Sequence, residues 1–198
     1  SQADLAQARQ YANVFAGPLR AILPFFPHAD VHGLILMALG EESGLPEDTP
    51  PVAGYPLVVT QRYTLINSAA NPNVFRLYIL RTLSSDLWRL GGGSLDPKYN
   101  GPVTSLNMAF GGVVEFLDVF IGENGDPAWM LARVQSQAAE RQLEPDPALL
   151  ALLETYRQAG PEGISAVLDQ MYRRPDELRA LPYEALPEWI RQAAKGKP

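Results

Sequence analysis

Apolar residues along this chain recur mainly at helical spacing, and prolines mark where the helices begin. Proline fits the first helical turn, where its missing N–H is not needed, and a polar side chain often caps the same turn. Cap-plus-proline pairs occur at Asn71-Pro72, Asp126-Pro127 and Asp146-Pro147, and weaker starts at Gly101-Pro102, Gly160-Pro161 and Arg174-Pro175. Together they predict helices over 72–90, 102–121, 127–142, 147–159 and 161–173, then short turns over 176–181 and 184–194.

The segment from Leu45 to Ile66 departs from this helical pattern. LPEDTPPVAGYP reads as a loop, and LVVTQRYTLI has the β-branched and aromatic content of a strand or hairpin arm. Upstream, helices are predicted over 3–15, 18–26 and 30–42. The sequence therefore predicts a mainly α fold with a small β element near 55–66. A soft boundary near 124 divides a helical domain over 1–124 from a C-terminal helical extension over 125–198.

The most informative segment is VHGLILMALGEESG, in which an apolar run from Val31 meets two carboxylates, Glu41 and Glu42. On the predicted helix, Val31, Ile35, Ala38 and Glu42 are spaced by 4, 3 and 4, which places Glu42 on the apolar face. The carbonyls at a helix C-terminus and dry surroundings both favour the protonated carboxyl. General-acid catalysis on a glycosidic bond needs such a group. The alternative is that both glutamates are solvated at a helix end.

Four segments follow one another in this order: a Glu-Ser segment, a Gly-to-Gln segment, a helical segment that ends in Gly-Gly, and a Tyr-Asn-Gly segment. They are LGEESGLP at 39–46, GYPLVVTQ at 54–61, FRLYILRTLSSDLWRLGG at 75–92 and KYNGPV at 98–103. This order resembles the lysozyme-like lytic transglycosylases of glycoside hydrolase family 23, over roughly residues 20–120. The chain departs from the family pattern at two places. Gly54 precedes Gln61 by seven residues rather than three, and Tyr99-Asn100-Gly101 lacks an intervening residue.

The resemblance implies a lysozyme-like helical domain that cleaves peptidoglycan or a related amino-sugar polymer, as a lytic transglycosylase or muramidase. Glu42 would protonate the glycosidic oxygen and then act as the base, while the substrate's own groups replace a second carboxylate. Ser43, Gln61, Tyr99 and Asn100 would bind the sugar. The resemblance also implies a bacterial protein in the periplasm or secreted, acting on a polysaccharide without a cofactor.

Charge and composition narrow the range of partners. The 198 residues include 16 basic and 22 acidic ones, for a net charge of −6, and no Lys/Arg cluster is present, so nucleic acid is not expected. No apolar run approaches the roughly 20 residues of a membrane span. The absence of cysteine excludes disulfides, thiolate zinc sites and cysteine nucleophiles. His28 and His32 are four residues apart, but Pro27 precedes the first, so no metal is expected.

The alternative function is a non-enzymatic α-helical protein-interaction module. Near the C-terminus, LRALPYEALPEWIRQAA offers apolar and aromatic side chains to a protein partner, namely Tyr183, Leu186, Trp189 and Ile190. The other possibility is that they pack on their own domain. A cytoplasmic location is expected for such a module. The first residues, SQADLAQARQ, lack a basic and apolar leader, so we expect a signal peptide to be either absent or removed.

Overall fold

A computed structural model of the chain describes residues 16–29, 34–37, 57–60, 72–96 and 104–196. Over these ranges the chain is mainly helical, as the sequence predicts. Residues 16–22 are helical and lead into a 3₁₀ turn at Leu23–Phe25. Further helices are α1 (Pro72–Leu90), α2 (Ser105–Gly122), α3 (Pro127–Glu140), α4 (Pro147–Arg173), α5 (Pro175–Ala180) and α6 (Leu186–Ala193), with a second 3₁₀ turn at Tyr183–Ala185. The chain forms two compact units. Unit 1 comprises 1–23 and 28–92, and unit 2 comprises 24–27 and 93–198.

Unit 1 contains a pair of parallel strands, β1 (Leu34–Met37) and β2 (Leu57–Thr60), in which Leu34 pairs with Leu57 and Met37 with Thr60. Strand β2 lies within the segment predicted as a β element, and α1 packs against it. Strand β1 lies in the predicted helix over 30–42, so that prediction is wrong at 34–37. A short continuous apolar run such as LILM fits a buried parallel strand as well as a buried helix, and periodicity alone does not separate them.

Unit 1 ends at the glycines that follow α1. The N–H of Gly91 donates to Leu87 O at 3.1 Å, and that of Gly92, at φ 85°, to Arg89 O at 2.9 Å. The boundary predicted near 124 instead falls inside unit 2, between two helices that pack on one another. A tight turn joins these helices, closed by the N–H of Gly125 donating to Phe120 O at 2.8 Å.

The core of unit 2 is built around α2, which contacts α3, α4 and α5. Among the described residues, α2 is the one helix long and apolar enough to cross a membrane, but more than half of it is buried inside the protein, as in the core helix of a globular unit. At Gly112 the backbones of α2 and α4 come close, since a Cβ there would lie 4.0 Å from the backbone N of Leu149. An aromatic cluster closes one end of this core, formed by Phe25, Phe116, Phe120 and Tyr156.

Helix α4 is two helices joined at a kink, as the sequence predicts. Gly160 has φ 63° and ψ −157°, a conformation open almost only to glycine, and Pro161 begins the second half. Helix α6 packs on α4 and completes the core with buried apolar side chains. The cap-plus-proline starts are confirmed at α3 and α4, where the carboxylates of Asp126 and Asp146 each accept two backbone N–H groups.

Candidate functional site

The residues that the sequence assigns to a glycosidase site lie outside the described part of the chain. These are Glu42, Ser43, Gln61, Tyr99 and Asn100. Strand β1 bears on Glu42, which the sequence places on the apolar face of a helix over 30–42. Because 34–37 is a strand, the helical face on which Ile35 precedes Glu42 does not form there. Glu42 as the catalytic acid therefore stays a prediction that rests on the order of the sequence segments.

A hydrogen-bond network holds together the two residues that flank the segment 97–103. Thr104 Oγ1 donates to Asp96 Oδ2 at 2.6 Å. The Asn107 side chain donates to Asp96 O and accepts from the Asp96 N–H, both at 3.2 Å. Arg179 adds a donor to Asp96 Oδ1 at 2.8 Å and another to Ser94 O at 3.2 Å. The hydrogen bonds from Thr104 and Arg179 hold the pKa of Asp96 below its usual range.

Two acids in the described residues have raised pKa values for reasons of burial. Burial raises the pKa of Asp86 to about 6, against the opposing effect of its ion pair with Arg89. Burial and the nearby Asp146 carboxylate raise the pKa of Glu115. Neither acid joins a larger cluster, since no group of three His, Cys, Asp or Glu in the described ranges is placed to hold a metal ion.

Three of the four C-terminal side chains proposed as a dock are buried in the structure. Leu186, Trp189 and Ile190 are buried because the apolar face of α6 packs on α4. The Trp189 indole N–H donates to Glu177 Oε1 at 3.2 Å. The Tyr183 hydroxyl donates to Asp146 Oδ2 at 2.8 Å. Packing on their own domain is therefore the outcome observed for Leu186, Trp189 and Ile190, while Tyr183 stays partly exposed.

A different apolar surface lies on α3, where the sequence analysis did not identify one. Met130 and Val134 turn inward and are buried. On the opposite side Trp129 exposes 66% of its surface. We call this side the outer face of α3, and its exposed members are Ala128, Trp129, Ala132, Gln135, Ser136, Ala139 and Glu140.

The outer face of α3 carries one charge, at its C-terminal end, where Glu140 Oε1 accepts a hydrogen bond from Ser136 Oγ at 3.3 Å. Within α3, Glu140 in the last turn is the one charged residue at an exposed position. The other charged residue is Arg133, and its guanidinium faces α2. It donates to Asp118 Oδ2 in α2 at 3.3 Å and to Glu123 Oε1, just after the C-terminus of α2, at 3.1 Å. A solvent-facing helix side is normally rich in charge, so a side with one carboxylate at its end and an exposed tryptophan departs from the pattern of a merely solvated face.

A second large apolar side chain is exposed just past the end of α3. Leu143 exposes 65% of its surface. Its N–H donates to Ala138 O at 2.9 Å and that of Gln142 to Ala139 O at 3.1 Å, while Gln142 adopts φ 55°. These hydrogen bonds form a Schellman motif, which fixes the backbone of Leu143 directly after the left-handed Gln142. The sequence signal for this surface is the uncharged series Trp129, Ala132, Ser136 and Ala139, spaced by 3, 4 and 3.

Comparisons with known proteins leave the family of the chain open. The sequence matches no protein-family model, and neither a curated protein nor a solved structure is significantly similar to it. The resemblance to lytic transglycosylases thus rests on the short segments of the sequence alone.

Proposed function

We propose that this chain is an α-helical protein-interaction module that binds a partner along the outer face of α3. The observation that carries the proposal is the exposed Trp129 on a helix side whose one charge, Glu140, lies at the far end of the helix. Tryptophan is enriched among the residues that dominate binding energy at protein interfaces, and charged residues are depleted from interface centres.

The energy available from Trp129 is large enough to matter. An aromatic side chain has about 150–250 Å² to bury, so the exposed part of Trp129 is roughly 100–165 Å². At about 25 cal/mol per Å², covering it would contribute roughly 2–4 kcal/mol before the costs of association. Trp129 lies at the start of α3, where the Asp126 carboxylate caps the helix and accepts the backbone N–H of Trp129 at 3.3 Å. It is therefore presented from an ordered first turn.

The small residues beside Trp129 favour an α-helix as the bound element. Ala132, Ser136 and Ala139 continue from Trp129 at spacings of 3, 4 and 3, which aligns them along one side of the helix. This spacing is that of the contact seam between paired helices. Small side chains permit close approach of a second helix axis.

A photo-crosslinking amino acid placed at Ser136 tests this proposal. In a lysate of the source cells, it should give a discrete covalent adduct, because Ser136 is at the middle of the outer face. The matched control is the same crosslinker at Gln158, an exposed position on α4. Adding Trp129→Ser to the Ser136 variant should abolish the adduct. If the adduct is equally strong at Gln158, or absent at Ser136, the outer face is not a binding surface.

A glycosidase with a lysozyme-like domain remains a second proposal, supported by the Glu-Ser and Tyr-Asn-Gly segments of the sequence. Glu42 would act as acid and base, as the resemblance implies. The test is the clearing of a cell-wall suspension by wild type and by Glu42→Gln, which keeps the size of the side chain and removes its proton. Equal rates, or no clearing by wild type, would refute the assignment.

A further inference from the structure

We propose that Asn124 is a site of spontaneous deamidation, and that the turn between α2 and α3 controls the rate of the reaction. The sequence Asn-Gly stands at 124–125 in this turn, and Asn124 is exposed to solvent with φ 50°. An asparagine followed by glycine is prone to deamidation, because glycine has no Cβ to shield the backbone nitrogen that attacks the side chain. The proposal is independent of the proposed function.

The reaction needs water as its one co-reactant. The backbone nitrogen of Gly125 loses its proton to solvent and attacks Cγ of Asn124. A bond forms between these two atoms, the bond from Cγ to Nδ2 breaks, and the side-chain nitrogen takes up one proton and leaves as ammonia. Water then opens the resulting five-membered imide at one of its two carbonyls. The product is aspartate, or isoaspartate, in which the main chain runs through the former side-chain carbon.

In the closed turn, hydrogen bonds hold the residue that supplies the attacking nitrogen. The Gly125 N–H donates to Phe120 O at 2.8 Å, and the Tyr156 hydroxyl donates to Gly125 O at 3.1 Å. A hydrogen-bonded N–H loses its proton to solvent only when the structure around it opens, so the nucleophile forms only in the open turn. Each hydrogen bond should make the open turn about 2–10-fold rarer, and the two together about 4–100-fold.

Both products fit the closed turn less well than asparagine does. Aspartate at 124 adds a negative charge directly after Glu123, the C-cap of α2, where the helix carbonyls already carry partial negative charge. Isoaspartate inserts one more carbon into the main chain before Gly125, which displaces its N–H from Phe120 O. The reaction therefore weakens the hydrogen bonds that keep the turn closed.

Peptide mapping by mass spectrometry during incubation of the full chain at neutral pH measures the rate at Asn124. The native rate should be about 4–100-fold lower than the rate in the same chain unfolded in urea. Asn100-Gly101 is a second Asn-Gly pair in the sequence, and in urea it serves as the reference for the intrinsic rate. A native rate at Asn124 equal to or above the rate in urea would overturn the proposal, as would the absence of reaction at Asn124 in urea.

Tyr156→Phe tests the control by the turn, because it removes the hydroxyl that donates to Gly125 O and keeps the ring. It should raise the native rate at Asn124 about 2–10-fold, and hydrogen exchange of the Gly125 amide, followed by NMR, should rise by the same factor. The matched control is Tyr183→Phe, which removes a hydroxyl that donates to Asp146 at the start of α4 and should leave both rates unchanged. Equal acceleration in the two variants would mean that deamidation follows unfolding of the whole unit. That result, or an unchanged rate in Tyr156→Phe, would refute the control by the turn.

The effect of the products is measured on the deamidated chain, which anion exchange separates from the unmodified chain by its additional negative charge. The deamidated chain should unfold at a lower urea concentration than the unmodified chain. Identical unfolding midpoints would show that the products fit the closed turn as well as asparagine does, contrary to the proposal.

Discussion

The turn between α2 and α3 offers the sharpest test of how unit 2 is held together. Gly125 adopts φ 71°, its N–H donates to Phe120 O, and its own carbonyl accepts the Tyr156 hydroxyl at 3.1 Å. A Cβ on Gly125 would lie 2.8 Å from Phe120 Cε2 and 3.1 Å from Tyr156 Oη. The Phe120 ring has little room to move, because it is packed edge-on against Phe25 at 5.0 Å and against Tyr156 at 5.5 Å.

Gly125→Ala therefore carries two separate costs. The left-handed backbone costs a non-glycine residue about 1–2 kcal/mol. Overpacking of the aromatic cluster adds about 1–3 kcal/mol. We expect a total loss of about 2–5 kcal/mol in the free energy of unfolding. For a unit of this size that corresponds to a fall in Tm of about 10–20 °C.

Urea unfolding followed by far-UV circular dichroism measures this loss, and Gly111→Ala is the matched control. Gly111 lies in the middle of α2, and nothing lies within 4 Å of a Cβ built there. Alanine should stabilise that position by about 0.5–1 kcal/mol through helix propensity. If Gly125→Ala costs less than about 1 kcal/mol, or the two variants shift stability in the same direction, the close approach of Gly125 to the cluster is wrong.

Three further predictions concern capping, the flanking network and pH. Asp146→Ala should lower stability by about 1–2 kcal/mol, because it removes the α4 cap and the hydrogen bond from Tyr183. Asp146→Asn should cost less, because Asn also caps helices. Thermal unfolding of the two variants measures the difference. Arg179→Ala should lower the free energy of unfolding by about 1 kcal/mol at pH 7. This difference from wild type should shrink as the pH falls through the lowered pKa of Asp96, because the carboxylate then loses its charge. Urea unfolding at several pH values measures the change. Burial raises the pKa of Asp86 to about 6. Wild type should therefore lose about 2–3 kcal/mol of stability relative to Asp86→Asn as the pH rises from about 4 to about 6. Parallel curves of stability against pH for the two proteins would contradict that shift.

The helices of unit 2 could be predicted because their start signals are local. Asp126 and Asp146 each precede a proline, and a cap and its first turn are formed by neighbouring residues, so their hydrogen bonds do not depend on the rest of the fold. The break at Gly160-Pro161 is local in the same sense. The sequence therefore predicts α3, both halves of α4 and the mainly α class.

Features that depend on distant partners could not be predicted from the sequence. Strand β1 forms by pairing with β2 more than twenty residues away, and LILM satisfies either a strand or a helix. The exposure of Trp129 and the burial of Trp189 are set by which faces α2 and α4 cover. Trp189 shares its buried face with Leu186, Ile190 and Ala193, whereas the exposed Trp129 is followed along its side of the helix by Ala132 and Ser136. The candidate surface on α3 was missed for the same reason.

The network around Asp96 also makes the segment 97–103 a suitable place to enlarge the protein. Hydrogen bonds from Thr104, Asn107 and Arg179 hold Asp96 next to Thr104. The two ends of any longer segment would therefore be held at the same positions. Doubling the length of a flexible loop whose ends are fixed costs only about 0.6 kcal/mol in closure entropy. An epitope or a small binding domain inserted between Asp96 and Thr104 should therefore leave unit 2 folded, which makes this chain usable as a display scaffold.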